Sequence, residues 1–402
     1  MASKNTKTKQ HSAAQVKKYL ELKTNANNGN VKQDVRMEKY AQGEIDKIFQ
    51  SDIDRQDGIG YVQIKITEGG HISFVATSDI HVKTAKAKVL KQLIDYIENT
   101  NTYVTEGGDI LQMDKDGYNG GTQESRINSQ EEVELLKRVI KPIAHKIIAA
   151  TGGNHDDAEQ ASRLKDSYLK VLKSMYEELG VYYSSVAVII EWIVPVFQKN
   201  KVVGSASLVD VLLHNRGKTK AKKIDSAKTA FAQGMGIVDK FNQRMGTRLV
   251  PDFIHGGHFH AASDLDEVYE VDIVNDKGLV TGTYLHTIRV RSNHTLQDGN
   301  SSSFNRGFND RQIPTFDQTD VHFVYNDSFN PCGMNTKPKF VPVVTEFPIL
   351  TKSGKLTAKA QEYMENRKDN RKEYYLQAKT QFSKSQAHDV LNHMNAEIDL
   401  LK

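Results

Sequence analysis

The spacing of apolar positions changes character along the chain. Residues 1–50 are polar, rich in Lys, Asn, Gln and Thr, with helical spacing only around "DVRMEKYAQGEIDKIFQ"; they read as a basic, partly helical extension. "GYVQIKITEGGHISFVATSDIHV" then alternates like a hairpin and closes on an apolar strand, "ISFVAT". In "TAKAKVLKQLIDYIENT", Val89, Leu90, Leu93, Ile94 and Ile97 fall on one helical face. "TYVTEGGDILQ" predicts a second strand, "SQEEVELLKRVIKPIAHK" a helix interrupted near Pro142, and "IIAATGG" a third strand. The helix expected next, over "AEQASRLKDSYLKVLKSMYEELG", has Asp156 or Asp157 to cap it and Gly180 to end it.

Beyond Gly180 the texture becomes strand-rich, in "VYYSSVAVIIEWIV", "SLVDVLLHN", "PDFIHGG", "YEVDIVN" and "YLHTIRVRS". "SNHTLQDGNSSSFNRGFNDRQ" reads as a polar loop over an edge or rim of the fold. After Thr351 the pattern predicts a long, charged, polar helix with Tyr363, Tyr374, Tyr375, Leu376 and Phe382 as docking points. The alternation of strands and helices before Gly180 predicts a layered α/β (α+β) domain over 51–350, between the extension at 1–50 and the helical segment at 351–402.

Composition narrows the class. The 402 residues are 38% hydrophobic and 26% charged, typical of a globular protein rather than a disordered chain. No apolar run approaches the roughly 20 residues of a membrane span, so no membrane partner is expected. The N-terminus lacks the apolar core of a secretory signal, and Cys332 is the only cysteine; both point to a reducing, cytoplasmic setting. The net charge of +4 neither demands nor forbids an acidic partner, and nothing in the sequence fixes an oligomeric state.

The candidate chemistry lies at the ends of the apolar runs. "ISFVATSDIHV" delivers Asp79 and His81, and "YVTEGGDIL" delivers Asp109. "IIAATGGNHDD" delivers Asn154, His155 and Asp156; "LVDVLLHNRG" delivers His214; "DFIHGGHFHA" delivers His258 and His260. Ligands of α/β sheets bind beyond the carboxyl ends of strands, so these groups can converge on one crevice. Extended backbone sends i and i+2 to one side, pairing Asp79 with His81 and His258 with His260. The neighbouring glycines let backbone approach an ion closely. Carboxylate, imidazole and one amide, without thiolate, suit Mn²⁺, Fe or Zn²⁺. Taken singly, each block is an ordinary turn; their order carries the signal. His255 reads as structural and Asp157 as a helix cap, while His71, His145 and His286 carry no spacing signal.

The ordered series "SDIHV", "GGDIL", "GGNHDD", "LLHNRG" and "GHFHA" resembles the calcineurin-like metallophosphoesterase superfamily over about Phe74 to Ala261. The resemblance implies a four-layer α-β-β-α sandwich and two divalent metal ions. Asp79, His81 and His260 would hold one metal, Asn154, His214 and His258 the other, and Asp109 would bridge them. It further implies phosphoester hydrolysis by in-line attack of a metal-bridging hydroxide. His155 would stand at the leaving oxygen, oriented by Asp156.

Departures from the family bear on the substrate. The protein Ser/Thr phosphatases carry Asp-Arg-Gly after the Gly-Asp block, where this chain has "GGDILQMDKDGYNGG". Gln112 also occupies a position where repair nucleases carry an acid. Arg216, Lys218, Lys220, Lys222 and Lys223 follow His214 directly, and such a cationic rim attracts a polyanion through phosphate contacts. The expected substrate is a phosphodiester of a nucleotide, DNA or RNA; the alternatives are a small-molecule phosphomonoesterase and a non-catalytic scaffold of the same fold.

Overall fold

The apolar runs that end in the polar blocks are strands in the computed structural model. It describes residues 58–66, 70–111, 129–153, 155–156, 168–215, 223–258, 263–275, 277–293, 295–296, 316–329, 338–351, 353–366 and 374–378. The chain divides into two compact units, 1–55 and 56–402, and every described residue belongs to the second. The helix expected within residues 34–50 lies outside the described residues, as does the rim loop expected over 292–312 apart from Ser292, Asn293, Thr295 and Leu296.

After β1 (Ile59–Ile66) and β2 (His71–Thr77), helices alternate with strands. The order is α1 (Ala87–Glu98), β3 (Tyr103–Glu106), α2 (Ser129–Ile140), β4 (Ile147–Thr151), α3 (Tyr168–Glu178) and β5 (Tyr182–Ser184). Strands β2, β3, β4 and β5 are parallel neighbours, as βαβ connections require. Pro142 marks the break foreseen after α2, where a 3-10 turn, Lys141–Lys146, takes over. Lys146 of that turn is buried, and its ammonium donates to the carbonyls of Ile97, Glu98 and Thr100 at 2.5–3.0 Å. It thereby caps the negative C-terminal end of α1.

The segment expected as one strand after Gly180 is two. β5 belongs to a six-stranded sheet, ordered β12-β11-β2-β3-β4-β5, whereas β6 (Ala187–Gln198) belongs to a seven-stranded one. The second sheet runs β13-β1-β6-β7-β8-β10-β9. Its remaining strands are β7 (Lys201–His214), β8 (Phe253–Gly257), β9 (Ser263–Val274), β10 (Val280–Ser292) and β13 (Tyr374–Ala378). β11 (Asp317–Tyr325), antiparallel to β2, and β12 (Phe340–Pro348), antiparallel to β11, complete the six-stranded sheet. The fold is thus mixed α/β with two mixed sheets.

Three apolar clusters hold it together. Ile64, Phe74, Ile148, Ile190, Trp192, Phe253 and Val321 meet between the sheets. Leu93, Ile97, Leu136, Ile140 and Tyr176 cover the other face of the six-stranded sheet at Val75, Val104 and Ile147. α4 (Lys223–Met245) sets Ala230, Val238 and Phe241 on Ile189, Val211, Ile254 and Val290 of the seven-stranded sheet. Each fully buried side chain of this size stabilises the fold by about 1.5–3 kcal/mol relative to exposure.

Where a long helix was expected after Thr351, the described residues form a short helix and a strand. Thr357 Oγ1 accepts the Ala360 amide at 3.2 Å and opens α5 (Ala358–Asn366). Tyr363, one of the expected docking points, is buried and donates to Ser73 Oγ at 2.7 Å. Tyr374, Tyr375 and Leu376 fall in β13, antiparallel to β1; Phe382 lies outside the described residues. Among the described residues no helix is long and apolar enough to cross a membrane.

Candidate metal centre

The polar blocks meet because neighbouring strands end together. The loop leaving β2 is laced to the loop leaving β3: the amides of Asp79, His81 and Val82 donate to the carbonyls of Gly108, Asp109 and Ile110 at 2.8–3.1 Å. β7 and β8 end side by side in the other sheet, with His214 in register with Gly257. The His258 amide crosses between the sheets and donates to both oxygens of Asp79, at 3.0 and 2.9 Å. Gly257 must be small here. A β-carbon on it would stand 2.7 Å from His214 Nδ1 and 2.9 Å from Asp79 Oδ2.

Backbone conformation singles out the same residues. Among the described residues six non-glycines have positive φ. Lys199 and Asn200 form the tight turn between β6 and β7. The other four are Asp79 (φ 51°), His81 (45°), Asp109 (52°) and His258 (91°). Such conformations cost about 1–3 kcal/mol each and persist where the surroundings over-determine them.

The side chains form two overlapping groups, Asp79–His81–Asp109 and Asp109–His214–His258. In each, one ligand atom from every residue lies within 4.8 Å of the others. Asp79, His81, Asp109 and His214 are buried, and His258 is half-buried. Asp109 belongs to both groups. Its Oδ1 accepts the His155 amide at 2.7 Å, while its buried Oδ2 lies 3.0 Å from His214 Nε2. His214 Nδ1 lies 2.9 Å from the Gly107 carbonyl, an acceptor, so this nitrogen carries the proton. In neutral His214 the Nε2 lone pair therefore faces a carboxylate oxygen, two acceptors that a cation between them would reconcile. The donors are hard oxygens and imidazoles, and they fit a divalent metal.

Without a cation the charges adjust by protonation. Burial alone would lower the His214 pKa, but the Asp109 carboxylate beside it holds it up at about 9. Burial would raise Asp109, yet His214, then His155 and His81, keep it well below the ordinary carboxylate range. Asp156 is pushed up to about 6, first by burial and then by Asp109.

The Asp156 carboxylate is held by backbone amides. Its oxygens accept the amides of Gly153 and Leu111 at 2.9 Å and of Ile110 at 3.4 Å. It thereby ties the loops after β3 and β4 together through backbone. The His155 ring is partly exposed and meets the His81 ring edge-on, centroids 5.0 Å apart.

Asn154, His260, Arg216, Lys218, Lys220 and Lys222 lie outside the described residues, as do Asp157 and the start of the helix it was expected to cap. Lys223 opens α4. His255 is buried with Nδ1 2.8 Å from Asp210 Oδ1, the structural role expected of it. The supporting residues Ser78, Asn215 and Thr295 escaped the sequence reading. Ser78 donates to Asp79 Oδ2 at 2.6 Å, Asn215 Nδ2 to the Gly257 carbonyl at 2.9 Å, and Thr295 Oγ1 to the Asp79 carbonyl at 2.8 Å. Ser78 and Asn215 adjoin ligand positions in the chain, which is a usable signal; Thr295 offers none. Set against known proteins, the chain matches no family model and no curated protein sequence.

Proposed function

We propose that this protein is a metal-dependent phosphoesterase of the calcineurin-like kind, acting on a phosphodiester of a nucleotide or nucleic acid. The observation that carries the proposal is Asp109, buried and common to an Asp79–His81 group and a His214–His258 group. A shared carboxylate is what a pair of cations about 3.5–4 Å apart calls for, since it offsets their repulsion and fixes their spacing. The three apolar clusters, two helical and one between the sheets, support the four-layer α-β-β-α reading that accompanies this chemistry.

In this reading Asp79 and His81, with His260, hold one site; His214 and His258, with Asn154, hold the other. Manganese, iron or zinc bound there would supply Lewis-acid polarisation of the phosphoryl group and an acidic water. The protein's own part is positional. Asp156 ties the loops after β3 and β4 together and so holds Asp109 in place. His155, at the rim of the buried groups, holds or gives a proton at the leaving oxygen. Arg216, Lys218, Lys220, Lys222 and Lys223 follow His214 in sequence and favour a polyanionic substrate.

The test is turnover of bis-p-nitrophenyl phosphate and of its monoester by one preparation, with bound metal measured on the same sample. We expect diester hydrolysis that tracks metal content. Hydrolysis of the monoester alone would replace the diesterase reading, and bound metal without turnover of either would leave a scaffold.

A further inference from the structure

The outer edge of the seven-stranded sheet combines features that folded proteins normally keep apart. β9 pairs with β10 along its length, and it ends the sheet, so among the described residues no strand pairs with its other side. Long edge strands are usually blunted by Lys, Pro or a bulge. The 12 residues of β9, "SDLDEVYEVDIV", contain neither Lys nor Pro, and the ladder's one register shift lies near its far end, between Val280 and Gly282 of β10. They carry Asp264, Asp266, Glu267, Glu270 and Asp272 instead, with no basic residue. Val268 and Leu285 on this ribbon are each 63% exposed.

The inner side of the same edge opens into a cavity of about 280 Å³ between the sheets. His255, Asp264, Asp266, Arg289, Arg291 and Glu346 line it. Arg291 is already neutralised, pairing with Asp264, Glu346 and Asp317 at 2.8, 3.1 and 3.3 Å. Arg289 lies 3.7 Å from Glu346. Asp266 is exposed and makes no ion pair among the described residues. His255 is only 1% exposed, and its Nδ1 is held by Asp210. Its Nε2 has no hydrogen-bond partner among the described residues. The cavity has acceptors in surplus and wants a cationic donor.

A second copy of the chain fits poorly, because two acidic edges would repel when paired. A nucleic acid is repelled for the same reason. What matches the free backbone groups, the exposed apolar side chains and the sign of the charge is an extended basic segment. We propose that β9 is a docking edge for a Lys/Arg-rich segment of a partner protein, which adds as a strand beyond β9 and sends one cationic side chain into the His255 cavity. Among the described residues no candidate metal ligand lines this cavity.

The test uses the full-length protein and labelled peptides the length of β9, alternating either lysine or glutamate with valine, in fluorescence anisotropy at low salt. The lysine peptide should bind and the glutamate peptide should not. Asp266, Glu270 and Asp272 are exposed, so D266K/E270K/D272K should fold normally, bind the lysine peptide at least about tenfold more weakly and acquire affinity for the glutamate peptide. On the unaltered protein, N-methylating alternate peptide amides should abolish binding, and bound peptide should slow amide exchange in β9. Absence of lysine-peptide binding, or binding indifferent to charge reversal, would overturn the docking edge. Equal binding of the N-methylated peptide would overturn strand addition.

Discussion

Gly153 packs against Asp109 so closely that a β-carbon on it would stand 2.1 Å from the carboxylate Oδ1 and 2.2 Å from the Asp109 amide nitrogen. The carboxylate shared by both side-chain groups is thus held partly by the absence of a methyl group. Gly153→Ala should displace it, destabilise the protein by about 1–3 kcal/mol and reduce bound metal. Thermal unfolding and elemental analysis read the two effects; a variant with unchanged metal content would show that Gly153 does not set the position of Asp109.

Asp109 and His155 should separate in their consequences. Asp109→Ala removes the group common to both sites, and the purified protein should carry little or no metal. His155→Ala leaves both groups intact, so metal should stay while turnover falls by about 10²–10⁴-fold. Equal metal content in the two variants would count against a shared carboxylate.

Glu106 gives the fold a pH dependence of its own. Burial raises its pKa from 4.5 to about 7, the Tyr176 hydroxyl opposes this with a 2.5 Å hydrogen bond, and the Asp156 charge adds to it. A folded pKa above the unfolded one means stability that is full below about 4.5 and is lost as pH rises through about 7. Glu106→Gln keeps the Tyr176 bond and stays neutral. In metal-free protein the variant should therefore gain on the parent between acid and about pH 8, by at most about 3 kcal/mol. Parallel melting curves across that range would show that Glu106 titrates normally.

The basic segment after His214 makes a prediction about salt. Replacing Arg216, Lys218, Lys220, Lys222 and Lys223 by Ala should raise KM for DNA. It should also flatten the logarithmic salt dependence by roughly 0.7–0.9 for each phosphate that the segment no longer neutralises. An unchanged slope would detach this segment from substrate binding.

What the sequence disclosed, and what it hid, follows from how strongly each element is constrained. β2, β3 and β4 are buried on both faces, so they stand out as apolar runs, and the polar blocks that close them are conspicuous. Asp79, His81, Asp109, His214 and His258 were legible for that reason. α4 was not, because Gly234 and Gly236 interrupt its propensity and its apolar residues are diluted by Lys and Gln. β11 and β12 also went unread: the first buries Val321 and Phe323 but exposes His322 and Val324 between and after them, and the other mixes Pro342 and Glu346 into its pattern. The switch between sheets at residues 185–186 was not legible, since β5 is only three residues, Tyr182–Ser184, and runs almost directly into β6. The role of Asp156 was hidden because backbone amides, its partners, have no signature in sequence.

The candidate ligands arrive from both sheets: Asp79, His81 and Asp109 follow β2 and β3, whereas His214 and His258 follow β7 and β8. An ion gripped by all of them would act as a rivet through the two halves of the molecule. Chelation would then do more than silence chemistry. It would unlatch the ligand-bearing end while the packed interior beneath stayed shut.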